Sequence, residues 1–217
     1  GSVLQGIGSS TNSGAVAYKS PSFDIGGLTA SFGVDYDPAA GAAGNDHDAV
    51  APKDSLTGSG SGVVVKLSHD SGLTVGAGME DVTGQPNNAD KENVTAYALY
   101  SMGPVSIGYQ AYYLNNGSAD KAAAADGAGA DYSGEAIGIA FNVNDQLSVG
   151  YQKVSEDKEA FTSTASSTRD IKSLSAAYSS GGMTMSVQTT DTDNYSMAAA
   201  GSELDVEAVQ VTLSFAF

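Results

Sequence analysis

The sequence predicts an all-β fold: an antiparallel, up-and-down transmembrane β-barrel, with about eleven strands in this chain. Two observations carry that prediction. Segment after segment of the 217 residues alternates large apolar side chains with small or polar ones, which is the period of a strand with one dry face and one wet face. The connections between these segments alternate strictly between tight turns and long polar stretches, the layout of a membrane barrel with short hairpins on one side and long loops on the other. The last nine residues show the first pattern most clearly, with Val209, Val211, Leu213, Phe215 and Phe217 on one face and Gln210, Thr212, Ser214 and Ala216 on the other. A soluble sandwich strand reads similarly but has no reason to place its heaviest aromatics at a bare C-terminus.

Each element follows from the same two signals. Residues 14–20 lead through a turn at Pro21 to Gly27 into 28–36, where Leu28, Ala30, Phe32, Val34 and Tyr36 share a face. Residues 61–69 turn at His69 to Gly72 into 73–81, and 93–102 turn at Met102 to Pro104 into 105–114. Residues 134–143 turn at Asn144 and Asp145 into 146–154, 170–178 turn at Ser179 to Gly182 into 183–190, and the last strand is 205–217. The long connections are 37–60, 82–92, 115–131, 155–169 and 191–204. Tyr18, Tyr100, Tyr178 and Phe217 fall toward the short-turn ends and Tyr36, Tyr113 and Tyr151 toward the loop ends, a distribution that suggests two aromatic girdles at the headgroup levels.

Composition is compatible with this fold and excludes several others. Leu, Ile, Val and Phe make up 41 of 217 residues and the formal net charge is -16, values that border on those of disordered chains. Disordered chains do not alternate, and a barrel with a polar interior needs apolar side chains on its lipid face only. No apolar run approaches the roughly 18 residues of a membrane helix. Cysteine is absent, so there is neither a disulfide framework nor a thiolate metal site. Twenty-five acids against nine bases, with Arg169 the only arginine, exclude nucleic-acid binding, which needs clustered basic residues.

Strand direction adds a parity argument. The final strand runs toward the short-turn side, and so does the first. Bacterial single-chain barrels have an even strand number with both termini on the short-turn side, so eleven strands do not close one unaided: either residues 2–10 form a poor twelfth strand or, as preferred here, the sequence begins inside an external loop and lacks an odd number of strands before it.

The segment "NSGAVAYKSPSFDIGGLTASFGVDYDP" resembles the hairpin after the constriction loop of the trimeric general porins of Gram-negative outer membranes, with Pro21, Phe23 and Gly26 or Gly27 at comparable places. The ending "VQVTLSFAF" is similar to the last strand of that family, and "YALYSMGPVSIGYQAYY" looks like one of its hairpins. The resemblance implies a sixteen-stranded barrel, of which this chain supplies the last eleven strands as a single domain over 1–217, with 1–13 the end of the constriction loop. It also implies a homotrimer in outer-membrane lipid and lipopolysaccharide, and recognition of Phe217 by the barrel-assembly machinery. Ala17 stands where family members often carry an arginine of a basic ladder, and Lys19 is the substitute on the same face.

The function expected is passive diffusion of small hydrophilic solutes and ions through a water-filled channel, without catalysis. Pore-lining candidates on polar strand faces are Lys19, Asp35, Lys66, Glu80, Gln110 and Tyr112, and the acidic balance favours cations at close range. His47 and His69 have no nucleophile partner, and "GSGSG" at 58–62 lacks the Lys-Ser or Lys-Thr of a phosphate loop. Asp46 and Asp48, and Asp191 and Asp193, place oxygens at alternating positions that could hold Ca²⁺ in external loops, although Ser202 stands twelfth from Asp191, where an EF-hand has its glutamate. Two other readings share part of the pattern: a barrel that works as an adhesion or structural protein through its long loops, and a secreted, calcium-binding β-sandwich.

The membrane reading predicts that the folded protein is monodisperse in detergent and aggregates when the detergent is removed. A folded, monodisperse sample in plain buffer would place the apolar face inside a soluble sandwich instead.

Overall fold

The computed structural model describes residues 15–38, 59–83, 91–115, 130–160, 166–198 and 201–215. They form one antiparallel sheet of twelve strands: β1 (Val16–Lys19), β2 (Phe23–Ile25), β3 (Leu28–Asp37), β4 (Gly60–His69), β5 (Leu73–Val82), β6 (Lys91–Met102), β7 (Val105–Asn115), β8 (Ala130–Asn142), β9 (Leu147–Ala160), β10 (Ser167–Ser180), β11 (Met183–Asp193) and β12 (Val206–Phe215). From β3 onward each strand pairs with its neighbours in sequence, and both β1 and β2 pair with β3. The described sheet is a plain meander that ends on two edges, β1/β2 and β12.

β1 and β2 are halves of one strand, broken where the expected wide turn over 21–27 was placed. Lys19 pairs with Gly33 and Phe23 with Ala30, so Ser20, Pro21 and Ser22 face only Ser31 and Phe32. That is a β-bulge. Pro21 has no N–H to give to the ladder, and buried Ser20 mends the gap: its N–H donates to the Phe32 carbonyl at 2.8 Å and its hydroxyl accepts the Phe32 N–H at 2.9 Å. The extra residue shifts the alternation by one. Val16 and Tyr18 below the bulge, and Phe23 and Ile25 above it, therefore stay on one face. The true turn is Gly26-Gly27, with φ of 59° and 85°, the pair of positive values that a two-residue hairpin with the sheet's own twist requires.

Antiparallel pairing puts opposite residues on the same face, so the register divides all eleven ladder positions into two surfaces. One carries Phe32, Val65, Ala77, Ala96, Ala111 and their paired neighbours, and the large exposed hydrophobics of the strands lie on it, with Leu99 the exception. On β6 this apolar face runs from Val94 to Met102, about 27 Å along the strand at ~3.4 Å per residue. Strand tilt reduces that to the height of a barrel's apolar band, about 25 Å or a little less.

On β8 to β11 the same face is apolar only in its turn-side half. Ile137, Tyr151, Leu174 and Val187 are followed by Glu135, Lys153, Lys172 and Thr189. These strands are the long ones, up to 14 residues, and most of the expected loop at 155–169 is strand. The reason is physical: the backbone ladder continues past the apolar band, and once the strands leave it their side chains carry charge on both faces, which erases the alternation in sequence. Two aromatic positions shift accordingly. Tyr18 pairs with Val34, near the loop end of β3, and packs against Phe32 with ring centroids 6.0 Å apart. Tyr151 lies in the turn-side third of β9.

Exchanging one residue on each face tests this division. Ile139→Arg, on the apolar face, is expected to cost about 2–4 kcal/mol near mid-membrane, whereas Ala140→Arg on the opposite face should change stability little. Denaturant unfolding of the protein refolded into lipid vesicles measures both.

Candidate functional site

The second face is polar, and the register gathers the sequence candidates onto it in three consecutive rows. Asp35, Gly62, Glu80 and Asn93 form one row. The next runs Lys19, Gly33, Val64, Gly78, Thr95, Tyr112, Gly134, Glu156 and Arg169. The third contains Ser31, Lys66, Gly76, Tyr97 and Gln110. All six candidates thus share one face across six neighbouring strand positions, from β1 to β7.

Small residues on this face make room for side chains that lie flat across it. A Cβ on Gly62 would run into the Asp35 carboxylate, one on Gly76 into the Tyr97 ring, and one on Gly134 into the Tyr112 ring. Asp35 therefore leans across β4 toward Glu80, whose Oε2 accepts a hydrogen bond from Asn93 Nδ2 at 3.2 Å. Tyr97 covers Gly76, the residue between it and Lys66. Gln110 is on the polar face but only 8% exposed, its Nε2 donating to Thr95 Oγ1 at 3.0 Å while that hydroxyl donates to the Ala111 carbonyl at 3.1 Å.

Tyr112 reaches furthest. Its ring crosses Gly134 on β8, and its hydroxyl donates to Glu156 Oε2 on β9. The other carboxylate oxygen of Glu156 takes the Arg169 guanidinium of β10 at 2.6 Å, with both side chains largely shielded from solvent. Four strands are therefore joined by one phenol, one carboxylate and the single arginine. Glu156 and Arg169 were not among the sequence candidates because both fall in the stretch expected to be a loop. The available signal was a complementary pair of ionisable residues in two charge-rich segments that flank one connection.

The weak metal candidates are corrected or lie elsewhere. Asp191 and Asp193 are not in a loop: they belong to β11 and stand on the surface that carries the apolar band. Asp193 accepts a hydrogen bond from Lys172 Nζ at 3.2 Å, and Asp191 is directly opposite Lys172. Asp46, Asp48 and Phe217 lie outside the described residues. Among the described residues no group of three or more His, Asp or Glu side chains is arranged to hold a metal ion. His69 is engaged in its own turn, with Nδ1 2.9 Å from Ser71 Oγ.

A sheet with a continuous apolar band on one side and charges, amides and hydroxyls on the other has the wall chemistry of a membrane barrel. Comparison with solved structures agrees: a porin structure refined at 1.8 Å superposes with a TM-score of 0.58 at 17% identity, over 94% of this chain and 61% of the porin chain. The fold is porin-like, and the chain spans about three-fifths of the length of that porin. No protein-family model and no curated protein matches the sequence.

The tyrosine bridge can be tested directly. Tyr112→Phe removes one hydrogen bond to a largely shielded carboxylate and should cost about 1–3 kcal/mol. Gly134→Ala should cost at least as much, because its Cβ displaces the ring. Thermal unfolding in detergent micelles reads both, and additivity of the pair would show that the two residues do not act on one bridge.

Proposed function

We propose that this chain forms most of the wall of an outer-membrane porin, a water-filled channel for passive diffusion of small hydrophilic solutes and ions. The observation that carries the reading is the division of faces: the register holds the large exposed hydrophobics of the strands, Leu99 excepted, on one surface and Lys19, Asp35, Lys66, Glu80, Gln110 and Tyr112 on the other. In hydrocarbon every backbone group needs a partner, so the two edges of the described sheet must be paired when it spans a membrane. We take the complete barrel to be sixteen-stranded, as the resemblance implies. The same resemblance supplies the finer parts of the proposal: membership of the general porins, a homotrimer set in lipid and lipopolysaccharide, and assembly through Phe217.

Within the channel the six residues act by position and charge rather than by chemistry. Lys66 and Lys19 set positive potential beside Asp35 and Glu80, and fields at such range act strongly on an ion that has shed part of its hydration. Gln110 contributes as a support beneath the wall surface.

Planar-bilayer recording decides the reading. Stepwise conductance increments on adding the purified natural-length protein are expected, and silence after verified insertion would favour a structural or adhesive barrel. Lys66→Glu should move the reversal potential in a salt gradient toward cations. An unchanged reversal potential would remove Lys66 from the lumen.

A further inference from the structure

The connection between β11 and β12 is tied to the polar face of β10. Ser167 and Arg169 belong to that face. Both donate to backbone carbonyls of the connection, Ser167 Oγ to Met197 at 2.7 Å and Arg169 to Tyr195 at 3.3 Å. The carbonyls of Tyr195 and Met197 are therefore held by polar-face side chains at the loop-side rim of β10, beyond the last β10–β11 pair at Asp170 and Asp193.

Asn194 holds the turn. It adopts a φ of 53°, a left-handed value that asparagine tolerates better than most residues, and its side chain is 8% exposed. Its Nδ2 donates to the carbonyls of Thr168 at 3.0 Å and Ala198 at 3.2 Å, while its Oδ1 accepts the Ala198 N–H at 2.9 Å. The neck is closed by the Tyr195 N–H on the Leu204 carbonyl at 2.7 Å and by Asp205 Oδ1 on the Asn194 N–H at 2.9 Å. Met197 is covered to 7% exposure, uncommon for a large apolar residue in a connection.

We infer that residues 194–198 form a fixed strap that narrows the loop-side mouth of the channel, and that Arg169 is its positioning residue. The guanidinium joins the strap to Glu156 on β9, and Glu156 is held in turn by Tyr112 from β7. The wall thus bears on the strap through a line of side chains rather than through one contact. The inference rests on the channel reading proposed above. It assigns a constriction to the connection that precedes the last strand and gives the lone arginine a steric role in addition to its charge.

The experiment compares wild type, Arg169→Gln and Asn194→Ala by single-channel conductance and by chymotrypsin cleavage after Tyr195 in the protein folded into lipid vesicles. Asn194→Ala alters no charge, so it separates release of the strap from loss of a cation. Both variants should raise conductance, by roughly 1.5-fold or more if the mouth widens, and both should be cleaved faster than wild type. Open steps in wild type with unchanged conductance in Asn194→Ala would overturn the strap alone, whatever Arg169→Gln does to selectivity. A silent wild type would overturn the channel reading and the strap's role with it, and accelerated cleavage without a conductance change would leave the strap attached but outside the path of solutes, which also overturns the inference.

Discussion

Everything in this fold depends on keeping side-chain parity across an antiparallel ladder. Each strand offers two faces that differ by one residue of register, and a slip of one residue anywhere would send a whole strand's apolar set to the wrong side. From β3 to β12 the pairing carries no such slip: Phe32 opposes Val65, Val65 opposes Ala77, and the row continues through Ala96 to Ala111. Backbone hydrogen bonding satisfies the polar main chain, and parity sends the large apolar groups to one face and the charged, amide and hydroxyl groups to the other. Without the first the sheet could not exist in a membrane. Without the second it would have no preferred orientation of its faces.

The polar face is organised by what its glycines leave out. Asp35, Tyr97 and Tyr112 do not project from the wall but lie across a neighbouring strand, each over a glycine that has no side chain to resist it. This lets large groups interlock laterally, and it explains how Gln110 and Thr95 are buried on a surface built for water. Where the strands rise past the apolar band the arrangement changes. Ion pairs take over, such as Lys153 with Asp170 at 3.8 Å and Lys172 with Asp193 at 3.2 Å. These are exposed and each is worth at most about 1 kcal/mol. They keep the strand extensions in contact with water rather than holding the sheet together.

Much of this was legible in the sequence, and each lapse has a physical cause. Alternation located the hairpins wherever one face was uniformly apolar, as in Leu73 to Met79 or Val105 to Tyr113. It also put Lys19, Asp35, Lys66, Glu80, Gln110 and Tyr112 on the polar side, because parity within a strand needs no knowledge of its partner. Alternation failed in 155–160 and 167–169, where both faces meet water and the pattern carries no signal, so Glu156 and Arg169 were missed. It failed again at 20–25, where Pro21 looked like a turn and is in fact a bulge. The turn at 194–198 rests on Asn194 and Met197 in left-handed conformations, a tertiary choice that no periodicity announces.

The bulge at Ser20 to Ser22 gives the first strand a property that substitutions would not reveal. It acts as a frame-shift in space: three residues set against two, with the hydroxyl of Ser20 closing the gap. Replacing Pro21 alters one side chain, but closing the bulge with all three residues kept in a regular ladder would turn Val16 and Tyr18 toward the polar face and Ala17 and Lys19 toward the apolar one. For this stretch of chain, the number of residues carries more structural information than their identity.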